Sequence, residues 1–446
     1  MTNSPSTAPA YYGLALLSLV SLFNYLDRMV IAVLVEPIKR DLSLTDTQVG
    51  LVSGFAFALL YALAGLPLAR IADRRSRVTL VSICLVLWSA VTALTGFARN
   101  FVELFLARMA VGVGEAGCVP ASHSLIGDLF PPHRRAFAIG VFQAGGVVGL
   151  SFGLAAAGWL AQTYGWRSAL MVAGLAGVPL ALLLYFTMPE PLRTGAVTHS
   201  EPAENSRQTV SALCRRQALV HLIIGISIGA FATYGMAQWH SAFYVRSHQL
   251  NLAEVGLYGG LAGGGGGILG AISGGLVMTR LRPRDARWEL WWPALAYGVS
   301  APLFAAAFLY PGTLGAFTFQ FASTFVAAAG GSVALSAIQS FAEPHRRATA
   351  IAIMLMMSSL IGLGLGPTAV GMMSDALSEL KSMKQEMEAL RKEMRAMKAR
   401  LSDGDNTDEQ PEDPVSALFA RRKRQREFDQ IGVEVEKWAE NILFKE

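Results

Sequence analysis

The chain has 446 residues, 53% of them hydrophobic and only 15% charged, with a formal net charge of +5; a soluble chain of this length carries about a quarter charged residues. That balance excludes an ordinary water-soluble globule. The positive charge does not mark a nucleic-acid binder either, because the arginines stand in short loops between apolar runs, where they set orientation in a bilayer.

A helix rises 1.5 Å per residue, so about twenty apolar residues cross roughly 30 Å of hydrocarbon. Runs at 11–35, 49–71, 78–98, 101–126, 136–161 and 168–188 meet that requirement. The first is too long and too polar at its centre for a cleaved signal peptide, and no basic segment precedes it. After a polar stretch rich in turn formers, Pro189 to Gln217, apolar runs resume at 218–245, 254–279, 288–310, 313–341 and 347–374, giving eleven expected spans. Arg70, Arg74, Arg75, Arg77, Arg134, Arg135, Arg215, Arg216, Arg280, Arg282, Arg284, Arg287, Arg346 and Arg347 share one side, predicted to be cytoplasmic together with the N-terminus. Opposite loops balance Lys39 and Arg40 with Glu36, Asp41 and Asp46.

Charges inside the spans carry the mechanism. The first span holds Asn24, Tyr25, Leu26, Asp27 and Arg28 midway. Adjacent helical residues point about 100° apart, so Asp27 and Arg28 cannot both face one neighbour. Arg28 suits an anionic headgroup, since a guanidinium binds phosphate or carboxylate through paired hydrogen bonds, and Asn24 and Tyr25 share its stretch of helix. In the fourth span, Arg108 and Glu115 stand seven residues apart on nearly one face, while Gly112 and Gly114 permit close helix approach. A charge in the bilayer costs at least about 2.5 kcal/mol, so such residues face a partner or a cavity. Asp27 and Glu115, with Arg108 beside them, are the candidate proton carriers; a structural salt bridge is the alternative reading.

The loop after the second span reads ARIADRRSR, Ala69 to Arg77. It resembles the cytoplasmic signature of the major facilitator superfamily, with Ala69 and Ser76 where that signature has glycine. Asp73 can pair with basic groups or with a helix N-terminus, which makes Asp73, Arg74, Arg77, Arg134 and Arg135 candidate gating residues. The equivalent place in the second half holds Thr279. In the seventh span Tyr234, Gln238, His240 and Tyr244 can line a cavity from the second half, or anchor an interface. The run Gly263 to Gly267 lacks the Lys-Ser/Thr of a phosphate loop and reads as a packing or hinge element. Cys84, Cys118 and Cys214 show neither metal spacing nor a disulfide framework, and no cofactor motif is present.

An internal repeat orders the spans. PHRRAFAI at 132–139 returns as PHRRATAI at 344–351, GLAAAG at 153–158 as GPTAVG at 366–371, and LSLTDTQVGL from Leu42 as LNLAEVGL from Leu250. Two parallel halves with a path between them are expected. The counterpart of the sixth span, KSMKQEMEALRKEMRAMKARL from Lys381, cannot cross a bilayer; Met383, Met387, Leu390, Met394, Met397 and Leu401 keep coiled-coil spacing instead. An acidic stretch and the basic run Arg421 to Arg426 follow. Clustered Lys and Arg fit the expected side poorly, so 378–446 reads as a foreign or substituted tail that pairs with another helix.

NYLDR, GVGEA with the following LIGDLFPPHRRA, and GWR at 165–167 resemble the Spinster family of this superfamily, over about Asn24 to Asp375. The resemblance implies an all-α, polytopic fold of two pseudo-symmetric six-helix halves, here without the last span. It also implies proton-coupled movement of lysophospholipids or sphingosine phosphate, with Asp27, Arg28, Arg108 and Glu115 as functional charges. The expected units are a first bundle at 1–188, a cytoplasmic linker at 189–217, a second bundle at 218–377 and the tail at 378–446, in a bacterial inner membrane. Export of hydrophobic drugs and a sensor or scaffold acting through the coiled coil are the competing functions. No nucleophile and base, His cluster or zinc spacing lies within the spans, which argues against an enzyme.

Overall fold

The computed structural model describes residues 7–191, 215–341 and 347–403. Expectations about 192–214 and 404–446, the start of PHRRATAI and the basic run of the tail lie outside the described residues. Every described element is helical, as lipid demands of a chain that must satisfy each backbone N–H internally. In order these are α1 (Thr7–Leu42), α2 (Asp46–Gly50), α3 (Ala56–Arg74), α4 (Arg77–Thr95), α5 (Phe101–Ala116), α6 (Cys118–Leu129), α7 (Pro132–Thr187), α8 (Gln217–His248), α9 (Leu252–Gly260), α10 (Gly266–Leu281), α11 (Trp288–Leu309), α12 (Thr313–Phe341), α13 (Arg347–Met357) and α14 (Gly366–Asp403). Wider π-helical turns, Leu51–Phe55, Leu261–Gly265 and Ser358–Leu365, join α2 to α3, α9 to α10 and α13 to α14.

Among the described residues, 8 helices are long and apolar enough to cross a membrane. The expected span at 313–341 forms α12 but is not among the eight, and the rest of the difference has local causes. Gly117 divides the fourth into α5 and α6, each too short alone. The fifth and sixth merge into α7, which turns at Gly165, where φ is +83°. Only glycine holds that conformation cheaply. Just beyond it, Trp166 donates to Asp41 at 3.2 Å and Arg167 pairs with the same carboxylate, which gives the GWR triplet a structural role. Compact units cover 1–377 and 378–446. Within the second, Met387 and Met394 are exposed at their heptad positions.

The sequence repeat reappears as repeated geometry. Left-handed Ser43 and Gln249 end α1 and α8 at φ 51° and 57°. Each is followed by a capping box, Thr45 with Gln48 and Asn251 with Glu254, which starts the next helix. The repeated glycines then meet the other half's repeat. A Cβ on Gly50 would sit 2.6 Å from the Pro367 carbonyl, and one on Gly54 2.6 Å from that of Leu363. Their counterparts Gly256 and Gly260 press on the carbonyls of Leu154 and Ser151. The side-chain caps match as well: Asp375 accepts from the N–H groups of Asp46 and Thr47 at 3.0 and 2.7 Å, and Gln162 from that of Leu252 at 3.2 Å. GLAAAG and GPTAVG are thus the surfaces against which the opposite half's second helix closes.

Candidate functional site

Close packing in the first half positions the charges. Gly112 lets α5 approach the Phe57 carbonyl of α3, and Gly114 lets it lie against Trp88 of α4. Arg108 and Glu115 consequently face α1 two turns apart. Arg28 donates through Nε to Glu115 Oε2 at 2.7 Å, and Asn24 donates to the same oxygen at 2.9 Å. Asp27 turns the other way: Thr92 donates to it at 2.5 Å and Arg108 at 3.4 Å. Asp27 and Arg28 therefore take different partners on one helix, as their 100° separation requires. Glu115 is 0% exposed, Arg108 3% and Asp27 4%.

Phe57 lies between the two pairs, 5.0 Å from the Arg28 guanidinium and 5.4 Å from that of Arg108. Tyr61 and Tyr25 complete an aromatic cage around Arg28 at 5.0 and 5.4 Å. Phe57 and Tyr61, one turn apart in the second span, escaped the sequence reading because aromatics in a span are ordinary packing residues. Four charges sum to zero, yet hydrogen bonding is incomplete. One terminal nitrogen of Arg28, Oε1 of Glu115 and Oδ1 of Asn24 are buried without a partner. An arginine with its Nε engaged and its outer edge unspent can still receive an anion.

A cavity of about 380 Å³ opens beside this array, lined by Met29, Leu150 and Leu154 of the first half and by Tyr234, His240 and Gln320 among others of the second. Tyr234 joins the two places, since it lines the cavity and interacts electrostatically with Arg28, Tyr25 and Tyr61. Gln238 is buried with its Nε2 unpaired, while Ala237 and His240 reach the cavity from its helix.

The expected gating residues are dispersed. Arg74 and Arg134 are exposed, Arg135 donates to the Phe130 carbonyl at 3.0 Å, and the side chain of Asp73 is outside the described set. Arg77 instead clamps the first half, bonded to Asp128 at 2.5 Å and Glu190 at 2.8 Å. Burial pushes the Glu190 carboxyl up, but bonds from the Val78 N–H, Arg77 and Ser76 outweigh it and hold the carboxyl below its usual value. A lowered folded value stabilises above the unfolded one and loses that contribution as pH falls through the folded one. The wild type should therefore exceed Glu190→Gln by roughly 1 kcal/mol at pH 7, and thermal unfolding in detergent should show the gap closing below about pH 4.5. A gap that does not narrow as the pH falls below the usual carboxylate value would contradict the assignment.

An ionic cluster between the halves was not anticipated as such. Arg246 of α8 bonds Glu36 of α1 at 2.5 Å and both oxygens of Asp46 at 2.9 and 2.8 Å; Lys39 and Ser374 each reach Asp46 at 2.5 Å. In the sequence, Lys39, Glu36 and Asp46 read as loop charges in local balance, and their partner lies two hundred residues away.

Comparison with known proteins decides the family. Residues 17–367 match the family model described as Major Facilitator Superfamily. The chain belongs to the major facilitator superfamily. This superfamily transporter is 34% identical over 375 residues to an MFS-type efflux pump of Mycolicibacterium smegmatis, a match covering 83% of this chain and 86% of that one. It is 28% identical over 382 residues to protein spinster homolog 1 of Xenopus tropicalis, covering 81% and 72% of the two chains. The crystal structure of a bacterial homolog to the human lysosomal transporter Spinster, in an inward-facing and unoccupied conformation, matches with a TM-score of 0.79 at 31% identity over 87% of this chain and 86% of that one. The Spinster resemblance read from NYLDR and GVGEA is upheld, and the transporter is a multi-pass membrane protein.

Proposed function

We propose that this transporter moves an amphiphilic anion, of the lysophospholipid or sphingosine-phosphate kind, in exchange with or alongside protons by alternating access. The observation that carries the reading is the half-engaged guanidinium of Arg28: bound to Glu115 at 2.7 Å, it keeps a buried terminal nitrogen unpartnered next to an apolar cavity. An anionic headgroup takes the free N–H groups and competes with Glu115 for the cation. Glu115, deprived of its counter-charge in a dry site, then takes a proton. Asn24 and Tyr25 hold the headgroup's flank, Tyr234 covers it from the second half, and Asp27 with Arg108 keeps the neighbouring charge balanced.

The arginine-rich loops support a cytoplasmic N-terminus, with the transporter in a bacterial inner membrane. The Asp46 cluster then lies on the outer face and closes it, so the cavity is reached from within. The bundles at 1–188 and 218–377 rock about that closure, joined by the linker at 189–217, and the tail at 378–446 recruits a coiled-coil partner.

In proteoliposomes, a pH gradient should drive lysophospholipid flux, and Arg28→Ala and Glu115→Gln should each reduce it roughly 30- to 150-fold, the equivalent of one charge-assisted contact of about 2–3 kcal/mol. Full flux in both variants would falsify the site. Export of a hydrophobic drug is the second reading, favoured by the efflux-pump relative and by the cavity's apolar wall. It predicts drug flux that ignores Arg28→Ala.

A further inference from the structure

The cavity has a polar node of its own, away from the ion pairs. On α8, Tyr234, Ala237, His240 and Tyr244 line it, and Gln320 of α12 completes the wall. Gln320 Nε2 lies 2.6 Å from His240 Nε2, and the Tyr244 hydroxyl donates to Gln320 Oε1 at 3.0 Å. An amide nitrogen can only donate, so Nε2 of His240 accepts from Gln320 and the ring proton sits on Nδ1. The Tyr244 hydroxyl on Gln320 Oε1 fixes the orientation of the amide. The polarity runs one way, from Tyr244 through Gln320 to His240. Unspent are one N–H of Gln320, a lone pair on its oxygen and the lone pairs of the Tyr244 hydroxyl.

All three residues are buried, in a wall whose other polar side chains are the hydroxyl-bearing Thr233, Tyr234, Tyr297 and Thr324. Helix and cavity packing alone would be served better by aliphatic side chains, because each unspent donor or acceptor in a dry cavity is costly. The node offers one donor and several acceptors and no net charge, which complements a hydroxyl or an ester carbonyl and suits an anion poorly. Six residues along α8 separate His240 from Tyr234, about 9 Å at 1.5 Å per residue. Tyr234 lines the cavity and lies within electrostatic range of Arg28.

We infer that the His240–Gln320–Tyr244 node is a second recognition point, which binds an uncharged hydroxyl or ester group of the cargo while Arg28 binds its anionic end. The inference rests on the amphiphilic-anion reading, which it narrows to cargo carrying both groups, as a glycerol ester of phosphate does. A single-chain alkyl phosphate would use one point only.

Three probes of equal chain length separate the two points: 1-lauroylglycerol 3-phosphate has both groups, 1-lauroylglycerol only the neutral ones and dodecyl phosphate only the anion. Binding is measured on the purified full-length protein in nanodiscs. Gln320→Leu should weaken the two glycerol probes about tenfold and leave dodecyl phosphate within about twofold. Tyr244→Phe, which removes one hydroxyl and little volume, should act in the same direction and guards against a misfolded Gln320 variant. A Cβ at Gly263 meets nothing within 4 Å, so Gly263→Leu can enter the cavity and should weaken all three probes. Arg28→Ala should weaken both phosphates and spare 1-lauroylglycerol. If Gln320→Leu and Tyr244→Phe leave the glycerol probes unchanged, or weaken dodecyl phosphate equally, the node is only structural and the inference is overturned. If those variants discriminate as expected but Arg28→Ala spares the phosphates, the node stands and the anion site fails.

Discussion

Asp27→Leu should be the most destructive single substitution in the transporter, lowering the stability of the folded bundle by about 3–5 kcal/mol. The change strands Arg108, which is 3% exposed, meets Asp27 through Nη1 and already has its Nε buried without a partner. A carboxyl that loses its partner can take up a proton, whereas a guanidinium cannot shed one. The reverse substitution, Arg108→Leu, should therefore cost less. Removing both charges together should recover most of the loss, since replacing a buried pair by apolar groups of similar volume is close to neutral. Thermal unfolding in detergent of the two single variants and the double gives the coupling directly. A loss in the double variant equal to the sum of the two single losses would show that the pair has no mutual role.

Arg246→Ala should have the largest effect on conformation. It leaves the buried Glu36 and Asp46, 6% and 2% exposed, with Lys39 as the cation on Asp46 and only the more distant Arg40, at 3.8 Å, on Glu36. Repulsion in place of attraction at that end should shift the balance between closed and open by about 2–3 kcal/mol, or roughly 30- to 150-fold in population. Spin labels at Ser43 and Ser247, both exposed and both at the ends of helices flanking the cluster, report it. The cysteines at 84, 118 and 214 are first replaced. The long-distance population should rise to dominate; an unchanged distribution would remove Arg246 from the gate.

These two sites differ in how legible they were. Asp27, Arg28, Arg108 and Glu115 stood out because a charge within an apolar run is rare and expensive, and helical periodicity alone placed them on facing surfaces. Arg246 did not stand out, because it sits at a span end, where a cation is ordinary. Its partners Glu36 and Asp46 looked satisfied by Lys39 and Arg40 nearby. The repeat was readable because glycines at 50 and 256 recur in the same local words, but their purpose was not, since a carbonyl that packs on glycine leaves no mark in its own residue type. Arg77 was expected at a gate and clamps one half instead; its partners Asp128 and Glu190 are ordinary acidic residues in sequence, made specific only when α4, α6 and the end of α7 converge. The polar node was half visible, as His240 and Tyr244 without Gln320.

The two seams between the halves are copies in backbone and opposites in charge. On one, the carboxylate of Asp375 caps the start of α2 and Asp46 gathers Arg246, Lys39 and Ser374. On the other, the neutral amide of Gln162 caps the start of α9, and the residue standing where Asp46 stands is Leu252. A charged cap at a helix N-terminus is worth up to about 2 kcal/mol and a neutral hydrogen bond about 1. Under the same load, the Gln162 seam gives way first. A single neutral hydrogen bond holds that start of helix, where the opposite seam has a charged cap and an ionic cluster, so the two edges of one closure differ in strength although their backbones repeat.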